Sequence, residues 1–194
     1  MSATALPHTK IPPVWMQKGG FFMSEKQIST THKLVLMAMM VAAQVALSRF
    51  LSISLWNLKI GFAFVPVVLT AMLLGPLAGG IVGAVADFIG ATLFPIGAYF
   101  PGFTFTAFLV GACYGLFLYK KQDGKGIFLA VLLTECIGSL LLNTLWISLL
   151  YGSPFFALLP ARLAQACGMG IVELIVIRLL ANYVPQMKRA IYAR

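Results

Sequence analysis

The chain has 194 residues, of which 60% are hydrophobic and only 10% are charged. A water-soluble domain of this length could not bury so much apolar surface, so the composition indicates an integral membrane protein. The net charge of +9 fits the cytoplasmic loops of such a protein better than it fits nucleic-acid binding. The three cysteines lie in apolar runs without metal or disulfide spacing and are interpreted as small buried hydrophobic residues.

Six apolar segments are each near the roughly 20 residues that a helix needs to cross a bilayer. The predicted spans are 33–53, 61–75, 77–94, 102–120, 126–150 and 156–183. Pro66 is expected to interrupt the second span, and Gly75-Pro76 predicts a tight turn before the third. Residues 1–32 form a predicted cytoplasmic tail, in which 1–22 are interpreted as a dispensable extension, and 184–194 form a basic cytoplasmic tail. The expected fold is an all-α bundle of six transmembrane helices.

The basic residues are distributed unevenly over the two predicted sides of the membrane. All but three of the 14 lysines and arginines fall in the N-terminal segment, the loop at 120–126 or the C-terminal end. With six spans these three regions share one side, which the positive-inside tendency identifies as the cytoplasm. Arg49, Lys59 and Arg162 are the exceptions, and all three map to the outer half or the outer loops.

An aromatic stretch at 95–106 lies on the predicted outer side. It contains Tyr99, Phe100, Phe103 and Phe105 together with two prolines, two glycines and no charge. Because proline and glycine at this density break helices, the stretch is either a short hydrophobic hairpin between two spans or the aromatic wall of a ligand site.

Ionisable side chains inside the predicted spans cost free energy, so they usually face a partner or a cavity. Helical spacing predicts one stripe on the fifth helix (Glu135, Ser139, Asn143 and Trp146) and another on the sixth (Arg162, Gln165, Met169 and Glu173). Asp87 lies near the outer end of the third helix. One interpretation is interhelical hydrogen bonding with an Asp87–Arg162 ion pair. Ligand contact is favoured for Arg162, Asn143 and Trp146.

Small residues recur at four-residue spacing, which allows helices to approach closely. The pairs Gly79/Gly83 and Gly111/Gly115 lie on the third and fourth helices. A ridge formed by Ala38, Ala42 and Ala46 lies on the first helix, and it predicts either packing within the chain or docking of another membrane protein.

Several functional classes find no support in the sequence. There is no phosphate-binding loop, because Gly124-Lys125 is followed by Gly126 and lacks the upstream glycine. Both histidines are near the N-terminal end, so a membrane-embedded Ser-His site or zinc motif is not expected. We therefore expect no enzymatic activity, no cofactor and no metal site. An autonomous ion-coupled carrier stays an alternative, although no paired repeat with broken helices is visible.

An ordered set of motifs resembles one family of membrane proteins. The set comprises Ser48-Arg-Phe-Leu-Ser-Ile53, Lys59-Ile-Gly-Phe-Ala-Phe-Val-Pro66, the segment 75–87, the segment 94–104, Asn143-Thr-Leu-Trp-Ile-Ser148, Tyr151-Gly152 and Leu159-Pro-Ala-Arg-Leu163. These motifs span most of residues 33–183. They are similar to those of the substrate-binding S-component of an energy-coupling factor (ECF) vitamin transporter, and most similar to the folate-specific group.

This resemblance implies a bacterial plasma-membrane protein that binds a vitamin from outside with high affinity. It implies partners as well, namely a transmembrane coupling subunit and two ATP-binding cassette ATPases. In the family an Ala-x-x-x-Ala ridge on the first helix docks on the coupling subunit, and Ala38, Ala42 and Ala46 match it. The implied mechanism is toppling, in which the S-component rotates in the membrane to present its site inward.

The chemistry of folate fits the candidate residues. Tyr99, Phe103 and Trp146 offer flat partners for its rings. Asn143 and Asp87 offer hydrogen bonds to the pterin edge, while Arg49 and Arg162, with Lys59 as a third, offer cations for the glutamate tail. A further basic residue often follows the sixth-helix arginine in the family, and this chain has Gln165 there instead. A smaller vitamin such as pantothenate, pyridoxine or a hydroxymethylpyrimidine is therefore the alternative ligand.

Overall fold

A computed structural model of the chain describes residues 29–50, 52–55, 58–95 and 97–192, with the backbone alone at 53–55, 58–60 and 192. The helices and strands, in chain order, are α1 (Thr30–Phe50), β1 (Ser52–Leu55), β2 (Leu58–Gly61), α2 (Phe64–Leu74), α3 (Pro76–Leu93), α4 (Pro101–Leu118), α5 (Gly124–Tyr151) and α6 (Phe155–Tyr192). All of these helices except α2 are long and apolar enough to cross a membrane. The chain is thus an all-α bundle of six helices with one short hairpin. The predicted extension at 1–22 lies outside the described residues.

The hairpin corrects the predicted ends of the first two helices. Strands β1 and β2 pair antiparallel, with Ile53 opposite Ile60 and Ser54 opposite Lys59. Their pairing satisfies backbone groups that a helix would otherwise satisfy, and β-branched isoleucines suit an extended chain. Helix α1 therefore ends at Phe50 rather than residue 53, and α2 begins at Phe64 rather than residue 61.

Pro66 does not interrupt α2 as the sequence predicted. It lies in the first turn of the helix, where an N–H group would have no intrahelical acceptor, so its absence costs nothing. Thr70 on the next turn donates a hydrogen bond to the Pro66 carbonyl oxygen at 2.8 Å. The helix continues to Leu74, where Gly75 with φ of 99° makes the predicted tight turn.

The glycine pairs of α3 and α4 mark the close helix contact that the sequence predicted. A Cβ added to Gly111 would clash with the Gly79 carbonyl oxygen. One added to Gly83 would lie 2.6 Å from the carbonyl oxygen of Ala107. Because no side chain fits at these positions, the two helices pack backbone against backbone there.

Helix α5 changes its winding in the middle. Residues Thr134–Asn143 are π-helical, and α-helical turns precede and follow them. Such wider turns are rare and often accompany functional sites. Three of the polar residues that the sequence predicted to form a stripe (Glu135, Ser139 and Asn143) lie in this segment.

Helix α6 has 38 residues, which corresponds to about 57 Å, well beyond the roughly 30 Å of hydrocarbon in a bilayer. Residues 184–192, predicted as a tail, continue this helix. Val184 is fully buried, and the Lys188 ammonium group donates to the Tyr119 carbonyl oxygen at 3.1 Å. The same ammonium group lies 4.9 Å from the centre of the Tyr119 ring. The end of α6 therefore packs on the end of α4.

The apolar core occupies one half of the bundle. Its fully buried members come from the end of α2 (Met72, Leu73), the end of α4 (Leu118), the start of α5 (Ala130) and the second half of α6 (Ile177). This half includes the charged loop at 120–125, which is predicted to be cytoplasmic. The opposite half, toward the hairpin and the α3–α4 connection, is open.

Candidate functional site

A cavity of about 610 Å³ lies in the open half of the bundle, a volume typical of small-molecule sites. Residues from the hairpin end, α1 to α6 and the α3–α4 connection line it. Those with side chains that bear on ligand binding are Arg49, Asp87, Tyr99, Phe100, Phe103, Thr106, Tyr114, Thr134, Glu135, Ser139, Asn143, Tyr151, Arg162, Gln165, Met169 and Glu173. All four residues of the predicted α6 stripe are among them.

The more exposed lining residues Gly61, Ala98, Tyr99 and Tyr151 are here called the mouth of the cavity. Tyr99 and Tyr151 are 40% and 48% exposed, so this end communicates with the surroundings. Four lining residues with shielded side-chain oxygens are here called the floor, namely Tyr114, Thr134, Glu135 and Glu173. Tyr114 and Glu173 are only 1% and 5% exposed, so this end is closed by the apolar core.

Arg49 in the last turn of α1 and Asp87 in the second half of α3 both line the cavity. Asp87 is close enough to interact electrostatically with the Arg49 guanidinium group. Gly90 makes room for that group, because a Cβ there would lie 2.9 Å from the Nε and Nη2 atoms of Arg49. Thr104 donates a hydrogen bond of 2.9 Å to Asp87 Oδ2, and the Tyr99 hydroxyl lies 3.3 Å from Thr104 Oγ1. These hydrogen bonds connect the Asp87 carboxylate to the aromatic stretch at 95–106.

Arg162, Gln165 and Asn143 also line the cavity. Arg162 is 7% exposed, which is unusual for an arginine in an apolar helix. Its position near the start of α6 places a positive charge in the same cavity as Arg49. Two guanidinium groups in one aromatic-walled cavity form a site for an anionic, ring-containing ligand.

The aromatic residues predicted to contact the ligand lie in two places. Tyr99, Phe100 and Phe103 line the cavity, whereas Trp146 is absent from the lining among the residues whose side chains are described. Its indole N–H donates to Thr106 Oγ1 at 3.0 Å, and its ring centre lies 5.4 Å from that of Phe100. Trp146 therefore contacts the cavity-lining residues Phe100 and Thr106.

The residues of the floor are not among the predicted ligand contacts. The Tyr114 hydroxyl donates to Glu173 Oε2 at 2.7 Å, and Thr134 Oγ1 lies 3.1 Å from the Tyr114 oxygen. Tyr114 and Thr134 occur in apolar runs and carry no signal in the sequence. The sequence does indicate Glu135 and Glu173 as ionisable residues within the membrane spans, although neither is among the predicted ligand contacts.

Two further sets of predicted residues lie elsewhere. Lys59 belongs to β2, and its side chain is outside the described part of the structure. Ala38, Ala42 and Ala46 are all exposed on α1. An exposed row of small side chains provides a smooth surface on which another helix can pack closely.

Comparison with known proteins identifies relatives over most of the chain. Residues 32–181 match the family described as ECF transporter, substrate-specific component. A folate transporter FolT of Clostridium novyi (strain NT) is 41% identical over 145 residues, which cover 74% of this chain and 84% of that protein. A folate transporter FolT of Leuconostoc mesenteroides is 38% identical over 123 residues, or 62% of this chain and 66% of that protein.

Solved structures give the same result for the fold. A crystal structure of FolT bound with folic acid has a TM-score of 0.75 and 40% identity, and the match covers 79% of this chain and 96% of that one. The S component of a bacterial ECF transporter has a TM-score of 0.57 and 26% identity over 79% of this chain and 98% of that one. With a matching family over most of its length and a relative at 41% identity, the chain belongs to the substrate-specific components of ECF transporters.

Proposed function

We propose that this chain is the folate-binding subunit of an ECF-type importer and that folate binds in the cavity between α1 and α6. The observation that carries this proposal is the presence of Arg49 and Arg162 in one aromatic-walled cavity. Folate has flat rings and a tail with two carboxylates. Each carboxylate can accept paired hydrogen bonds from a guanidinium group, and the rings can pack on Tyr99 and Phe103.

The relatives support the choice of folate over a smaller vitamin. Both curated relatives carry the name folate transporter FolT, and one similar structure was solved with folic acid bound. The cavity, which extends from the mouth to the floor for about three helical turns of α6, suits an elongated ligand. Arg162 and Glu173 are separated by about 16 Å along the helix axis.

The chain depends on partners for energy. A transmembrane coupling subunit and two ATP-binding cassette ATPases supply ATP hydrolysis, and the ridge of Ala38, Ala42 and Ala46 is the docking surface. The exposed, small-residue character of this ridge supports that role. The bacterial plasma membrane holds the protein with both termini in the cytoplasm, so the cavity mouth faces outward. Toppling of the docked subunit then delivers folate inward.

Direct measurement of ligand binding tests the proposal. The detergent-purified protein should retain a pterin absorbance in the near ultraviolet, and its ligand-free form should gain thermal stability when folic acid is added. Pantothenate, pyridoxine and a hydroxymethylpyrimidine serve as competitor ligands. Stabilisation by one of these ligands, without stabilisation by folic acid, would overturn the folate assignment.

Transport assays test the need for partners. Vesicles that contain this chain with a complete ECF module, with the ATPases on the inner side, should accumulate folate when ATP is supplied inside them. Vesicles that contain the chain alone should bind folate without accumulating it. Accumulation by the chain alone, driven by an ion gradient, would identify an autonomous carrier instead.

A further inference from the structure

The loop that joins α4 to α5 and the last turns of α6 lie side by side, although they are distant in the sequence. The Lys188 ammonium group donates to the Tyr119 carbonyl oxygen at 3.1 Å, where the loop begins. A Cβ added to Gly124, where the loop ends, would lie 3.4 Å from Nη1 of Arg178. Both ends of the loop therefore lie against α6, and the charges of the two segments share one region of the protein.

This region is here called the basic surface. Its members from the loop and the start of α5 are Lys120, Lys121 and Lys125, and its members from α6 are Arg178, Lys188 and Arg189. All of them are exposed except Lys188, which is half-buried. Among the acidic residues that the structure describes, Asp123 alone lies in this loop, since the other three line the cavity. Six cationic groups are therefore accompanied by one described carboxylate.

The exposed side chains of α6 show where the lipid tails end. Large exposed hydrophobic residues occur from Phe156 to Leu179, which corresponds to about 35 Å along the helix, close to the roughly 30 Å of hydrocarbon in a bilayer. Tyr183 is 60% exposed, and tyrosine is enriched at the membrane–water interface. Arg178 and the residues that follow it therefore lie at the depth of the lipid headgroups on this side of the membrane.

The end of α6 has a cationic side and an apolar side. Arg178 and Arg189 are about three helical turns apart, so they project in nearly the same direction, and Asn182 is exposed between them. Leu179 and Tyr183 are exposed on the neighbouring side. A cationic side next to an apolar side is typical of helices that lie where headgroups meet lipid tails.

We propose that the basic surface binds the phosphate headgroups of anionic phospholipids. Clusters of roughly four to eight Lys and Arg residues beside a transmembrane helix attract such lipids. Arginine donates paired hydrogen bonds to a phosphate, and lysine adds a flexible point charge. Long charged side chains suit headgroups better than they suit a partner helix, for which the small residues of the α1 ridge are the fitting surface. None of the six residues lines the cavity, so the proposal is independent of the proposed function.

Two lipids that differ only in their headgroup test the proposal on the full chain in a non-ionic detergent. Dioleoylphosphatidylglycerol should raise the melting temperature at a concentration at least about tenfold lower than dioleoylphosphatidylcholine requires. Sodium chloride at about 0.5 M should reduce this preference, because salt screens exposed charges. Equal effects of the two lipids would overturn the proposal. Inorganic phosphate should give no such stabilisation, and an equal effect of phosphate would assign the surface to free anions instead.

Single substitutions locate the site. Lys121→Gln and Arg178→Gln should each weaken the apparent affinity for phosphatidylglycerol about fivefold, because each removes one cation from the surface. Lys33→Gln is the matched control, since it removes the same charge from an exposed position at the start of α1 and should leave that affinity unchanged. All three variants should bind folate as the unmodified protein does, which confirms that they are folded.

Two outcomes for these variants would contradict the proposal. An equal loss of lipid affinity in Lys33→Gln would show that the attraction depends on net charge and not on this surface. Unchanged lipid affinity in both Lys121→Gln and Arg178→Gln would remove the lipid from the surface. If these two variants then co-purified less with the ECF module, the surface would belong to a protein partner.

Discussion

Tyr114 on α4 and Glu173 on α6 share a hydrogen bond of 2.7 Å at the floor of the cavity. Both side chains are almost fully buried, and the bond joins two helices at the level where the open cavity meets the apolar core. It therefore contributes both to packing of the bundle and to the shape of the binding site.

Removal of the Tyr114 hydroxyl should destabilise the ligand-free protein. Tyr114→Phe keeps the ring but leaves Glu173 Oε2 without this donor, which should lower the free energy of unfolding by about 1–3 kcal/mol. Thermal unfolding in detergent measures the effect. Tyr183→Phe is the matched control, because Tyr183 is 60% exposed and should tolerate the same change. Equal stability of both variants would show that the bond contributes nothing.

The contact between α3 and α4 should not accept a side chain. Gly111→Ala would place Cβ against the Gly79 carbonyl oxygen, and relief of that clash by a backbone shift should cost about 1–3 kcal/mol. Gly168→Ala provides the control, since no atom lies within 4 Å of a Cβ at that position. There alanine should be neutral or stabilising, because it favours a helix more than glycine does. A melting temperature unchanged by Gly111→Ala would contradict the packing seen here.

The two arginines of the cavity should both contribute to folate affinity. Arg49→Ala and Arg162→Ala should each weaken binding by about 1.5–3 kcal/mol, the range for hydrogen bonds to charged groups. Titration calorimetry with the detergent-solubilised protein measures the loss. Arg178→Ala, in a helix position that is exposed and outside the cavity, should bind folate normally. An arginine whose removal leaves affinity unchanged does not contact the ligand.

Trp146 and Phe103 should differ in their effects on binding. Phe103→Ala removes part of the cavity wall and should reduce affinity directly. Trp146→Phe keeps a ring against Phe100 but loses the bond to Thr106, so it should lower stability by about 1 kcal/mol with a smaller change in affinity. Paired binding and melting measurements separate the two effects. A larger loss of affinity for Trp146→Phe than for Phe103→Ala would place the indole in contact with ligand.

The alanine ridge should affect assembly without affecting binding. Ala42→Trp adds a bulky side chain to the exposed face of α1 and should prevent close packing of a partner helix. Co-purification with the ECF module should decrease, while folate affinity of the isolated chain stays the same. Leu149→Trp introduces the same ring at another exposed position and should assemble normally. Unimpaired assembly of Ala42→Trp would remove the ridge from the docking surface.

Much of this protein was predictable from the sequence because lipid imposes simple rules on it. Apolar runs of the required length located the six helices, and glycine at four-residue spacing identified the contact between α3 and α4. The α6 stripe from Arg162 to Glu173 was visible as well, because ionisable residues in an apolar helix must face a cavity or a partner. These features depend on local composition and periodicity alone.

Only the tertiary structure decided which side chains share the cavity and at what depth. Tyr114 and Thr134 gave no signal, since their role depends on helices distant in the sequence that close around the floor. Trp146 packs on Phe100 and donates to Thr106, and these contacts with residues distant in the sequence cannot be predicted from the local periodicity of α5. The hairpin and the packed end of α6 also depend on long-range contacts. The order of the helices was thus determined by the sequence, whereas the set of side chains that share the cavity required the packed bundle.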